Sequence, residues 1–353
     1  MATRVAVDAM GGDHAPRAIV RGAVQALSDD SELWLVFLGD ETVVRDELTA
    51  FGLSSSDARH ERIRIVHTTQ VVGMEEAPVD ALRSKKDSSI LRMAELAAAG
   101  EADAVVSAGN TGACAAAAQF RLKPLPFISR PGIAVTIPSF HGPFVLCDVG
   151  ANIQAKPQHL YEYAVMASVY AERVLAIKNP RVALLSIGEE SGKGTGLVKQ
   201  TQALLLQDSS LNFVGNAEGR ELFENRCDVA ICDGFVGNIV LKFVEGLAEG
   251  LFRTIAREFG DQSPETRQQI NVALDRVWSR HDYSQYGGAP LLGIDGICII
   301  CHGRSNELAI RNAVKVACRF ARQGINQALG ERLGGASGAR ASAVEQPAAV
   351  VVR

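Results

Sequence analysis

Six polar residues stand where apolar runs end: His14, Asn110, Thr111, Asn152, Lys193 and Asn238. All are side chains that bind oxyanions or move a single proton. Asn110 and Thr111 lie in SAGNTGA, Ser107 to Ala113, where a short β-type run turns into an alanine-rich helix beginning near Thr111. Free N–H groups at the positive end of a helix suit an anion, and Gly109 and Gly112 are expected to supply positive φ and close backbone approach. A strand-to-helix turn also favours Gly, Ser and Asn for conformational reasons alone, so one such corner decides little. Repetition decides more. Comparable corners occur at Gly11, Gly12, Asp13 and His14, at DVGAN from Asp148 to Asn152, and at DGFVGN from Asp233 to Asn238. A mostly parallel sheet would gather them all at one carboxyl edge, where open α/β folds bind ligands. The expected binding set is Gly11, Gly12, Asp13, Gly109, Asn110, Thr111, Gly112, Asn152, Asp233 and Gly234, with Lys193, Asn238 and His14 as the groups that act on the substrate.

Familiar catalytic motifs fail on spacing. From Gly188, Lys193 arrives one residue early for a Walker A loop, and Gly194 stands where Ser or Thr should hold magnesium. Gly192, Gly194 and Gly196 are spaced G-x-G-x-G, which is not the dinucleotide fingerprint. Neither ATP nor NAD is expected. There is no G-x-S-x-G elbow, catalytic-cysteine signature or H-E-x-x-H, so covalent or zinc chemistry is not indicated. Cys298, Cys301 and His302 spell a haem-attachment motif, but residues three apart on a strand face opposite ways. A site without its own nucleophile suits a nucleophilic substrate. Inorganic phosphate is one, held beside an electrophilic carbonyl by a point charge such as Lys193.

Alternating β and α patterns over the whole length predict a layered α/β/α sandwich. The chain has 353 residues, is 47% apolar and carries a net charge of −4. Its pI near 6 argues against a general nucleic-acid binder. No apolar window approaches signal-peptide or membrane-span length, so a cytosolic protein is expected. The seven cysteines read as reduced core residues. One domain is expected over 1–330, with a helical hairpin at 238–280 and a disordered tail from 331 to 353.

With those patterns in place, five ordered motifs become recognisable. They are DAMGGDHAP from Asp8, SAGNTGA from Ser107, DVGAN from Asp148, CDGFVGN from Cys232 and YGGAPLLG from Tyr286. Together they closely resemble the bacterial phosphate acyltransferases (the PlsX family) over residues 3 to about 328. The resemblance implies a Rossmann-like sandwich similar to isocitrate and isopropylmalate dehydrogenases and phosphotransacetylase. It also implies a homodimer that uses no nicotinamide or metal. The implied reaction moves a fatty acyl group from acyl carrier protein to inorganic phosphate, giving an acyl phosphate for a membrane glycerol-3-phosphate acyltransferase in phospholipid synthesis. In that setting the corner residues would cradle phosphate, Lys193 would attract it, Asn238 would donate to the carbonyl oxygen and His14 would protonate the leaving thiolate.

Two other readings compete. A decarboxylating dehydrogenase on the related fold would need clustered carboxylates for a divalent metal, which the corners lack. A peripheral membrane scaffold would use the apolar stripe Val240, Val244, Leu247, Leu251 and Ile255, although dimer core accounts better for it. An acidic carrier partner calls for a local basic surface, with Arg83, Lys85, Lys86, Arg121, Lys123 and Arg130 as candidates.

Overall fold

The computed structural model describes residues 2–53, 57–260, 262–281 and 283–344. The chain begins with β1 (Thr3–Asp8), α1 (Arg17–Asp29), β2 (Leu33–Gly39), α2 (Glu41–Ala50) and β3 (Ile63–His67). Next come α3 (Pro78–Ser84), α4 (Ser89–Ala98), β4 (Ala104–Ser107), α5 (Thr111–Leu122), β5 (Gly132–Ile137) and β6 (Phe144–Cys147). The middle is formed by α6 (Pro157–Arg173), β7 (Arg181–Leu185), α7 (Gly196–Leu206), β8 (Asn212–Ala217) and β9 (Val229–Ile231). The long helices α8 (Gly234–Glu258) and α9 (Pro264–His281) precede β10 (Ala289–Leu292), β11 (Cys298–Ile300), α10 (Glu307–Gln323) and α11 (Ile325–Val344).

All the strands join one sheet in the order β3-β2-β1-β4-β11-β10-β5-β6-β9-β7-β8. Helices cover both faces. On one face α1, α2, α6, α7, α10 and α11 pack over a core that contains the fully buried rings of Tyr161, Tyr163 and Tyr170. On the other, α3, α4 and α5 pack with the inward side of α8, whose Val240, Leu241 and Val244 reach the second core. This is the expected three-layer sandwich.

The sheet is mixed, which corrects the expectation of a single carboxyl edge. β10 runs antiparallel to both β11 and β5, and β5 runs antiparallel to β6. The strands β3, β2, β1, β4 and β11 are parallel to one another, as are β6, β9, β7 and β8. The reversals therefore send the carboxyl ends of the two halves to opposite edges. The pivotal β10 lies in a stretch whose Gly287, Gly288 and Pro290 look like turn chemistry, and a proline in mid-sheet argues against a strand on its face.

Gly324 takes a left-handed conformation between α10 and α11. Two local expectations also change. The chain is helical from 331 through Val344, with Leu329 and Leu333 buried one turn apart at the start of this stretch; residues 345–353 lie outside the described residues. On α8 the apolar stripe divides as well. Val240 and Val244 face the core, whereas Ile239, Phe243, Leu247 and Leu251 are exposed.

The junction of β6 and α8 is packed backbone to backbone. A Cβ at Gly237 would overlap the carbonyl oxygen of Asp148, whereas at Gly246, farther along the same helix, it would meet open space. Gly237→Ala should therefore lose roughly 3 kcal/mol in urea unfolding, and Gly246→Ala should gain up to about 1 kcal/mol from helix propensity. Equal shifts in both variants would show that the junction tolerates a side chain.

Candidate active site

The first corner is organised around a buried carboxylate. Asp8, at the end of β1, accepts hydrogen bonds from Ser107 Oγ at 2.7 Å and from Met10 N at 3.2 Å. Burial pushes its pKa up, opposed by hydroxyl and backbone donors. Gly11 is required here because a Cβ would run into Asp8 Oδ2, and at Gly109 it would come within 3.2 Å of the same atom. Neither Gly109 nor Gly112 has positive φ, which corrects that expectation; Gly12 has φ +106°. A Cβ on Gly112 would sit 2.5 Å from Pro78 Cγ, so Gly112 is where α3 meets α5. Asn110 is buried, and its side chain is spent internally. Its amide donates to the carbonyls of Gly73, Met74 and Glu76, and its oxygen accepts from Ala113 N as the cap of α5. Thr111 is exposed beside it, as are Asp13 and His14.

The second corner repeats the design at the other edge. Asp148 accepts from the N–H groups of Ile133, Ala151 and Asn152 at 2.9, 3.2 and 2.7 Å. Desolvation raises its pKa from 3.8 to about 6 against those three donors. Asn152 gives its amide protons to Pro131 O at 2.6 Å and to Tyr163 Oη at 2.7 Å. Asp233 caps α8 by accepting from Phe235 N and Val236 N, both at 3.0 Å. At Gly234 a Cβ would meet Asp148 Oδ2 at 2.7 Å. Lys193 is exposed on the loop after β7, at this same edge.

Between the corners, α5 and α8 flank a cavity of about 130 Å³. Its floor is the β5–β10 pair, through Ile133, Val135 and Ala289, and its rim carries Thr111 on one side and Asn238 on the other. Among the sequence-predicted residues, Thr111 and Asn238 are brought together here; Lys193, His14 and Asn152 do not line it. Three lining residues were passed over by the sequence reading: Lys242, Glu245 and His302. Lys242 Nζ lies 2.8 Å from Glu245 Oε2 and 3.0 Å from His302 Nε2. Burial and then the Lys242 charge hold the His302 pKa below 6.5. The signal was available, since His302 and Gly303 follow a buried strand as the other corners do. It was set aside with the haem-like motif. That motif is excluded by packing: Cys298 faces one core and Cys301 the other.

The fold is an α/β sandwich similar to that of the phosphotransacetylases. A phosphotransacetylase from Streptococcus pyogenes superposes with a TM-score of 0.60 at 19% identity, covering 91% of this chain and 94% of that one. A second, EutD from Staphylococcus aureus, gives 0.58 at 16% identity with the same coverage. At such identities the likeness concerns fold. Sequence is more specific: the family described as fatty acid synthesis protein matches residues 3–328. The phosphate acyltransferase of Moorella thermoacetica is 48% identical over 339 residues, 95% of this chain and 96% of its own. That of Halothermothrix orenii is 45% identical over 317 residues, 89% and 93% of the two chains. The chain belongs to the phosphate acyltransferase family.

Asp148 gives the second corner a pH dependence whose sign is fixed. A carboxyl raised in the folded state binds its proton more tightly there than in the unfolded chain. Its stabilising contribution is complete below pH 3.8 and disappears as pH climbs through about 6. Asp148→Asn cannot titrate, so wild type should lose stability relative to this variant between pH 4 and 6. Parallel melting curves of the two proteins across that window would remove Asp148 as the titrating group.

Proposed function

We propose that this protein transfers a fatty acyl group from acyl-acyl carrier protein to inorganic phosphate, releasing the carrier thiol and an acyl phosphate. The relationship to curated phosphate acyltransferases over nearly the full chain carries the proposal. The cavity gives it a physical basis. A space of 130 Å³ takes a group about as large as benzene, which fits the thioester and its neighbouring methylenes and not a whole fatty chain. The apolar floor receives the acyl end, and Asn238 on the rim donates to the carbonyl oxygen as it becomes an oxyanion. Phosphate oxygen attacks the thioester carbon, the C–S bond breaks, and the electron pair leaves on sulfur. A phosphopantetheine thiol, with a pKa near 8.5 by analogy with cysteine, leaves readily as thiolate. His14 serves that thiolate when a proton is needed, and Lys193 draws phosphate to the corner shared with Asn152, Asp233 and Gly234. Gly11, Gly12, Asp13, Gly109 and Gly112 belong to the Asp8 corner that holds Thr111 in place on the opposite side.

The proposed setting is cytoplasmic phospholipid synthesis by a homodimer, with the acyl phosphate consumed by a membrane glycerol-3-phosphate acyltransferase. The exposed stripe of α8 serves the dimer or a transient membrane contact. Among the described residues no helix is long and apolar enough to cross a membrane.

The deciding experiment mixes purified protein, acyl carrier thioester and phosphate, with mass spectrometry for acyl phosphate. Formation of the mixed anhydride is expected, and its absence would overturn the reading. Asn238→Ala should reduce turnover about a hundredfold with little change in phosphate saturation, since the lost donor acts on an oxyanion formed during reaction. An unaltered rate would remove Asn238 from the site.

Docking of the acidic carrier is proposed on exposed Arg83, Lys86, Lys123 and Arg130. Lys85 is held by Glu76 and Val71 O, and Arg121 pairs with Glu95 at 2.9 Å, so these two are weaker candidates. Reversing Lys86 and Lys123 should raise the Michaelis constant for the carrier donor and spare acyl-coenzyme A. Equal impairment with both donors would place the docking face elsewhere.

A further inference from the structure

The rim of the cavity holds a pair of nitrogen donors that the proposed chemistry has not used. Arg304 N donates to His302 Nδ1 at 3.1 Å, which leaves the proton of the neutral ring on Nε2. That N–H faces Lys242 Nζ at 3.0 Å, and a lysine ammonium has no lone pair to receive it. Two donors therefore converge on one rim. Glu245 accepts one of the three Lys242 protons, and among the described residues no acceptor is bonded to the other two or to the Nε2 proton of His302. Nearby charges do not alter this. Arg304 is turned to Glu249 at 3.6 Å, and Asp13, whose charge also reaches His302, belongs to the loop whose backbone bonds to Gly303 O.

We propose that Lys242 and His302 together bind the phosphate in this cavity, one phosphate oxygen accepting from both Nζ and Nε2 beside the hydroxyl of Thr111. An anion supplies the acceptor the pair lacks, and it does so one helical turn along α8 from Asn238, where the thioester carbonyl is proposed to lie. Lys193 is then a cation that draws phosphate toward the protein, and Lys242 is the one that holds it for attack. This assignment rests on the acyl-transfer reading for its purpose, but the binding itself needs no acyl donor.

The test uses inorganic phosphate in two measurements, the rise in melting temperature and the Michaelis constant for phosphate. Lys242→Met should abolish the melting shift and raise the Michaelis constant roughly tenfold or more, as expected for a lost charged hydrogen bond. Lys242→Arg should keep most of both, and Lys178→Met, exposed on a remote turn, should match wild type. A Lys242→Met protein that phosphate stabilises like wild type would overturn the assignment. Equal loss in Lys242→Arg and Lys242→Met would overturn it too, because charge would then not be the property that matters. His302→Gln, which retains an N–H donor, should impair phosphate saturation less than His302→Phe; equal saturation in both would remove His302 from the site. If the wild type makes no acyl phosphate but its phosphate-dependent melting still needs Lys242, the anion site stands and the acyl-transfer reading falls.

Discussion

The reversal of direction at β10 and β5 is the constraint on which the arrangement of the site depends. Because these two strands oppose their neighbours, the helices that leave the two parallel halves start at opposite edges and cross the same face in opposite senses. α5 descends from Thr111 and α8 from Gly234, and the strands between them are left with side chains that neither helix fully covers. The cavity is this uncovered strip. In an all-parallel sheet the two helices would start side by side, and Thr111 and Asn238 would not face each other across an apolar floor.

Both corners are built on the same economy of packing. A strand ends in an aspartate with no cation against it among the described residues; the carboxylate is instead wrapped by hydroxyl and backbone N–H donors, and glycines let the chain close over it. Asp8 has Ser107, Met10, Gly11 and Gly109 around it; Asp148 has Ile133, Ala151, Asn152 and Gly234. Removing a buried carboxylate from water is costly, and in each case several directed donors offset that cost. The glycines that look like the lining of a ligand cradle thus serve an internal anion. The protein gains rigid strand-to-helix turns, and these hold Thr111 and Asn238 in place.

That distinction explains how much was legible beforehand. Apolar runs such as Val5–Val7 and Phe144–Cys147 declare their strands because burial on both faces demands continuous hydrophobicity. Polar residues at strand ends declare that something negative is bound there, but not whether it is substrate or the chain's own aspartate. Asn110 and Asn152 have their side-chain donors committed to protein, which spacing cannot reveal. β10 escaped notice because Pro290 and two preceding glycines mask a four-residue strand. Lys242, one turn beyond Asn238 on α8, reads as an ordinary solvent-facing lysine until the fold brings His302 across to it.

The cysteines bear on the route that an acyl group can take. A thioester that reaches the cavity passes close to Cys301, which contributes to its lining. Transfer to that thiol would need a thiolate, yet burial pushes Cys301 up to about 12, and its side chain packs into the core on the far face of the sheet. Cys232 and Cys147, next to the Asp148 corner, are buried and pushed up as well, with aspartate charges adding to the desolvation. These thiols therefore stay protonated. Under the proposed acyl transfer these thiols are poor acceptors, and a nucleophile brought in from solution is the acceptor the site favours. In the proposed reaction the work left to the protein is placement: an apolar floor for the acyl end, a donor for the developing oxyanion, and fixed charge for the attacking anion.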